Sequence, residues 1–218
     1  MQFFDLKCEN VTLSFTNFGG QILQYTKNGK KMLFMSKYAV MDGSKPIRGG
    51  IPICWPWFGS IRSPQHGTAR TSLFTITQQS ALNDLICVEM EFEDKLNELK
   101  LQEQITATPQ KLQIRFKTTN LSDKFQIYST AMHTYFAIEP QKFETRSFDG
   151  CNAFDKLQNR ETIIDNLKID CPTDLIINKT GEILFGQSNK IKLCHNGNKT
   201  VVWNPWQDAS KIQDLKHY

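Results

Sequence analysis

The chain has 218 residues, of which 39% are hydrophobic and 22% charged, with a formal net charge of +4. That length suits one large domain or two small ones, and the apolar content suffices for a packed core and argues against disorder. Basic residues are scattered rather than gathered into a stripe, which argues against a nucleic-acid partner. No apolar run approaches the roughly 20 residues that cross a bilayer as a helix.

The N-terminal segment MQFFDLKCENVTL has no basic region followed by an apolar run, so no export signal is expected and the reading is cytoplasmic. Cys8, Cys54, Cys87, Cys151, Cys171 and Cys194 are widely spread and form no CxxC pair. Free thiols and no metal site are expected. In that compartment the sequons at Asn10 and Asn120 carry no meaning.

Strand signals run the length of the chain. Leu13–Phe15, Leu23–Tyr25 and Phe74–Ile76 are short candidates. Ile86, Val88, Met90 and Phe92 alternate with Cys87, Glu89, Glu91 and Glu93, and Leu112, Ile114 and Phe116 alternate with Gln113, Arg115 and Lys117. This period of two marks half-buried antiparallel strands. Leu99–Leu101, Phe125–Tyr128 and Ile191–Leu193 are further candidates. Turn chemistry separates them at Asn17–Gly20, Asn28-Gly29, Asn120–Asp123 and Asn196-Gly197. No stretch sustains a 3.6-residue apolar repeat; Asn159 to Leu167 is the one short helix expected. No repeat, low-complexity block or linker interrupts the chain, so residues 1–218 read as a single all-β, antiparallel domain.

Two loops stand out. Pro46–Gly59 (PIRGGIPICWPWFG) sets three prolines, three glycines and two tryptophans around one cation, Arg48. Proline lacks an amide proton and glycine costs backbone entropy, so no regular helix forms there. The run is too apolar for a linker and reads as a rigid, aromatic-walled loop. Ser63–Arg70 (SPQHGTAR) follows and adds Gln65, His66 and Arg70. Two guanidiniums suit a bidentate grip on phosphate or carboxylate; structural ion pairs are the plainer alternative. In Ala131–Ile138, a strand would place Met132, Thr134, Phe136 and Ile138 on a core face and His133, Tyr135 and Ala137 on the other. The second face has the character of a ligand groove, or else holds a histidine satisfied in a second core layer. Trp55, Trp57, Trp203 and Trp206 read first as packing residues. Cys54, between Ile53 and Trp55, reads as a buried thiol rather than a nucleophile.

The ordered motifs RGGIPICWPWFG, QHGTAR, HTYF and VVWNPW resemble the glucose-6-phosphate 1-epimerases, the hexose-6-phosphate mutarotases related to aldose 1-epimerases. The resemblance runs from about Phe15 to the end of the chain. It implies a galactose-mutarotase-like β-supersandwich, no cofactor, a sugar-phosphate ligand and, as the favoured state, a monomer. Arg48, Gln65 and Arg70 would bind the sugar phosphate, His133 would be the catalytic acid, and His66 would lie against the sugar. Asp174 aligns with an aspartate that contacts the sugar, although Leu175 stands where an arginine is usual. Thr68 replaces the usual bulky apolar residue of an HGFAR pattern.

The implied reaction interconverts α and β anomers. The ring oxygen must gain a proton and the anomeric hydroxyl must lose one, so an acid and a base flank the anomeric centre. The family's base is a glutamate in a CVE-type motif beyond WNPW. This chain ends twelve residues past Trp206, and Cys87-Val88-Glu89 lies elsewhere. The expectation is therefore a sandwich without its last strand or strands and without that base. Three outcomes follow: a weakened enzyme, a sugar-phosphate binder without catalysis, or a substitute carboxylate such as Glu139. An unrelated β-sandwich interaction protein is a more distant alternative.

Overall fold

The computed structural model describes residues 1–187 and 190–215. Its backbone divides into two compact units, Met1–Ala137 and Ile138–Tyr218.

The first unit holds β1 (Phe3–Lys7), β2 (Val11–Thr16), β3 (Ile22–Lys27), β4 (Lys30–Lys31), β5 (Ile53–Cys54), β6 (Thr75–Leu82), β7 (Leu85–Asp94), β8 (Leu99–Ala107), β9 (Leu112–Asn120) and β10 (Ala131–Met132). Two antiparallel four-stranded sheets form, in the orders β1-β2-β3-β4 and β6-β7-β8-β9. They share a core: Leu13, Phe15 and Tyr25 come from one sheet, and Val88, Met90, Leu101 and Ile105 from the other. The alternation read from the sequence drives this packing. Ile86, Val88 and Met90 are fully buried, whereas Cys87, Glu89 and Glu91 are half-exposed. A separate two-stranded ladder pairs Cys54 with Ala131 and Ile53 with Met132.

The second unit holds β11 (Glu144–Thr145), β12 (Asn152–Asp155), β13 (Arg160–Ile163), β14 (Leu167–Lys168), β15 (Thr173–Ile177), β16 (Gly181–Phe185), β17 (Ile191–His195) and β18 (Thr200–Asn204). Its main sheet runs β13-β12-β15-β18, accompanied by the pairs β11/β14 and β16/β17. Ala153, Leu175 and Ile177 are the buried apolar residues of that main sheet.

Three local expectations need correction. Asn159–Leu167 is not a helix: Arg160–Ile163 pairs with Asp155–Asn152 as a hairpin. Asn159, at φ +51°, turns the chain into it, and β-branched Thr162 and Ile163 favour the extended form. Phe125–Tyr128 is not a strand, and Phe125 and Ile127 are 89% and 74% exposed. Within Ala131–Ile138 the burial runs opposite to expectation: Met132 is 41% exposed while Tyr135 is 9% exposed. Beyond Met132 this segment docks through alternate amides, His133 to the Pro52 carbonyl and Tyr135 to the Gly50 carbonyl, both at 2.9 Å. Those contacts turn Tyr135 inward, with His133 half-buried beside it.

On β8, the row Leu99, Leu101, Glu103, Ile105, Ala107 points into the core, and Glu103 is 2% exposed. Its Oε2 makes no hydrogen bond to the described protein. Burial holds its carboxyl well above the usual range, so the folded chain keeps a proton that the unfolded chain releases. Folding is then favoured most below the ordinary glutamate value of 4.5 and loses stability as pH rises above it. Thermal unfolding of the wild type and Glu103→Gln across pH 4.5 to 8.5 is expected to show the wild-type melting temperature falling relative to the variant. Parallel curves would mean that Glu103 ionises normally.

Candidate functional site

The two sequence-selected loops and the His133 segment meet within the first unit. The ladder between β5 and β10 sets Pro46–Gly59 beside Ala131–Tyr135. The loop is anchored along its length: Ile47 and every residue from Gly49 to Trp57 are buried, and Arg48 between them is half-buried. Gln21, fully buried, grips the backbone on both sides of Arg48. Its Nε2 donates to the Ile47 carbonyl at 3.2 Å and to the Gly49 carbonyl at 2.7 Å. Gly50, at φ +62°, lets the chain press against β3; a Cβ there would lie 2.1 Å from the Ile22 carbonyl oxygen.

The second loop docks on one atom. The Trp55 carbonyl accepts the amides of Thr68 at 3.0 Å and Ala69 at 3.1 Å. Gly67 passes so close that a Cβ would sit 2.1 Å from the same oxygen. Arg70 follows on a single 3₁₀ turn, Ala69–Thr71. Thr68, the departure from the family pattern, is put to use here. Its hydroxyl donates to Asp94 Oδ2 at 2.7 Å, tying the loop to β7. Trp55 and Trp57 are structural: Trp55 Nε1 donates to the Thr118 hydroxyl and Trp57 Nε1 to the Pro64 carbonyl.

The side chains then converge. Arg48 Nη1 donates to the Tyr135 hydroxyl at 2.9 Å. The Tyr135 ring stacks on His133, with centroids 4.8 Å apart, and His133 meets His66 edge-on at 6.3 Å. His66, at φ +64°, accepts the Gly59 amide on Nδ1 at 3.1 Å and packs on Phe58. Arg70 Nη2 donates to the Gln65 carbonyl at 2.6 Å. That bond engages the Gln65 main chain, and the Gln65 side chain is exposed.

Electrostatically this is a cationic, partly desolvated corner. Burial lowers the Arg70 pKa, and Arg48 lowers it further, while Cys54 and Tyr135 act the other way. Two guanidiniums close enough to repel one another favour an anion between them. Burial, reinforced by Arg48 and Arg70 against the effect of its own backbone hydrogen bond, pushes His133 down to about 4. It is therefore a neutral imidazole at pH 7. Burial pushes the Cys54 thiol up to about 11, with Arg70 opposing, so it is no nucleophile at neutral pH.

The structure thus brings together Arg48, His66, Arg70 and His133, with Gln65 joined through its main-chain carbonyl. Asp174 lies in the second unit on β15, opposite Trp203, with its carboxylate paired to Lys156 at 2.5 Å. Glu139 also belongs to that unit and is paired with Lys142 at 2.7 Å. Sequence reasoning passed over Gln21 and left Tyr135 without a role. Gln21 follows the Gly19-Gly20 turn with nothing local to mark it. Tyr135 was visible as the neighbour of His133 on one strand face.

In this antiparallel β-sandwich, Arg48, His66 and Arg70 from the two Gly/Pro-rich loops gather beside His133 from the segment that follows β10. The chain belongs to the aldose 1-epimerase family, whose model matches residues 4–217. Among curated relatives it is similar to the Haemophilus influenzae "Putative glucose-6-phosphate 1-epimerase", 29% identical over 192 residues, covering 83% of this chain and 67% of the relative. A Cenchrus ciliaris protein of the same name is 27% identical over 231 residues, covering 91% and 68%. The solved structure of HI1317 is 26% identical with a TM-score of 0.83, covering 94% of this chain and 77% of that one. The Salmonella typhimurium "putative mutarotase (YeaD)" shares the fold, with a TM-score of 0.88 at 19% identity, covering 98% and 77%.

Two measurements check this geometry. Gly67→Ala should destabilise the protein by roughly 2–3 kcal/mol, whereas Gly59→Ala, with open space around it, should cost about 1 kcal/mol; denaturant unfolding of both reads the difference. An NMR titration should show the His133 ring protonating near pH 4. Because the unfolded ring takes up its proton near 6.5, His133 contributes stability above that pH that is lost as pH falls toward 4. A midpoint near 6.5 would contradict the buried placement.

Proposed function

We propose that this chain interconverts the α and β anomers of a hexose 6-phosphate by opening and reclosing the sugar ring. The observation that carries the reading is the convergence of Arg48 and Arg70, from separate loops, beside His133. The two guanidiniums grip the phosphate and so fix the sugar, which converts proton transfer into an intramolecular step. His66 lies against the sugar, and Gln65, tied to Arg70 through its main chain, joins the phosphate grip.

His133 serves the ring oxygen. A neutral imidazole acts as an electrophile by donating an N–H hydrogen bond as the carbon–oxygen bond breaks. A phosphate dianion beside Arg48 and Arg70 offsets their charge and makes the ring easier to protonate in the complex. The opposite face requires a general base. We assign none of the described carboxylates to it: Asp94 holds Thr68 and Asn97, Glu139 holds Lys142, Asp174 holds Lys156, and Glu103 is in the core. A sugar-phosphate binder that performs no chemistry is the second reading, favoured because none of the described carboxylates is assigned as the base.

Exchange NMR between the anomers of glucose 6-phosphate separates the two. An enzyme accelerates exchange, and His133→Ala should lower the protein-dependent rate by about 10²–10⁴-fold while binding persists. Arg48→Ala and Arg70→Ala should each weaken binding at least about tenfold. Binding without acceleration identifies a binder. Unchanged affinity in both arginine variants would remove the phosphate assignment altogether.

A further inference from the structure

We propose that Tyr135 is a positioning residue that sets Arg48 and His133 relative to one another, so that anion capture and ring-oxygen chemistry share one geometry. This rests on the anion site and acid assigned above. A single side chain makes both contacts: its hydroxyl oxygen accepts Arg48 Nη1 at 2.9 Å, and its ring lies nearly parallel to His133, 25° between planes with centroids 4.8 Å apart.

The phenol is itself held. Its amide donates to the Gly50 carbonyl and its carbonyl accepts the Phe34 amide, both at 2.9 Å. Its ring packs against Phe34 at 6.5 Å, and the residue is 9% exposed. Gly50 is two residues from Arg48, so backbone and side chain of Tyr135 grip the same loop. A guanidinium is a planar fork whose value depends on its orientation. Accepting one of its donors fixes the plane of the guanidinium. The stacked face likewise fixes the imidazole plane and keeps water from that side.

The two functions separate by substitution. Tyr135→Phe removes the acceptor and keeps the stack. It should weaken affinity for inorganic phosphate and raise KM for the sugar phosphate about tenfold, with kcat within about twofold. Tyr135→Leu removes both. It should in addition lower kcat about 10²-fold and move the His133 titration midpoint upward from about 4.

If Tyr135 acts through Arg48, then adding Tyr135→Phe to Arg48→Ala changes phosphate affinity no further. A purely structural tyrosine predicts a lower melting temperature with unchanged phosphate affinity in Tyr135→Phe, and a tyrosine acting independently of Arg48 predicts a loss of affinity that recurs in full in the double variant. Either result overturns the proposal. Phosphate titration and the His133 resonance need no turnover. Failure of anomer exchange in the wild type would therefore sink the enzyme reading while the coupling through Tyr135 is still decided.

Discussion

The Trp55 carbonyl oxygen is the atom on which the site depends. It accepts two successive amides, from Thr68 and Ala69, and it faces Gly67 at a distance no side chain tolerates. One buried tryptophan backbone thus holds the Arg70 loop against the Arg48 loop. The opposite end of the Arg48 loop is held the same way, by Gly50 against the Ile22 carbonyl. Backbone contact at both ends leaves the cations little freedom, which is what orientation-dependent recognition of an anion requires.

Electrostatic cost accompanies this arrangement. Two guanidiniums are held within mutual influence, and an imidazole is kept neutral by burial. Such an arrangement is unfavourable in the protein alone, and in the proposed function a bound phosphate dianion offsets it. In that reading binding and chemistry are linked through charge as well as through position. Tyr135, between Arg48 and His133, is where the two meet.

Two of the polar groups buried in the first unit, Gln21 and Glu103, differ in what they do. Gln21 is spent on the site, since its amide clamps the carbonyls flanking Arg48. Glu103 lies in an apolar row of β8 and avoids the penalty of a buried charge by keeping its proton. The first constrains the loop, and the second leaves the fold sensitive to alkali.

The sequence by itself determined the all-β class, strands β7, β8 and β9, and the two loops with their arginines. Alternation and Gly/Pro chemistry are local properties, written into neighbouring residues. Tertiary structure alone decided which strands exist where local preference was divided. Phe125–Tyr128 has strand-like residues, but a strand also needs a partner, and pairing is non-local. Asn159–Leu167 became hairpin because Asn152–Asp155 was there to receive it. The inward turn of Tyr135 was likewise set by the Pro52 and Gly50 carbonyls, more than eighty residues upstream. Those carbonyls, and not the period of the segment, turn Tyr135 inward to meet Arg48 and His133.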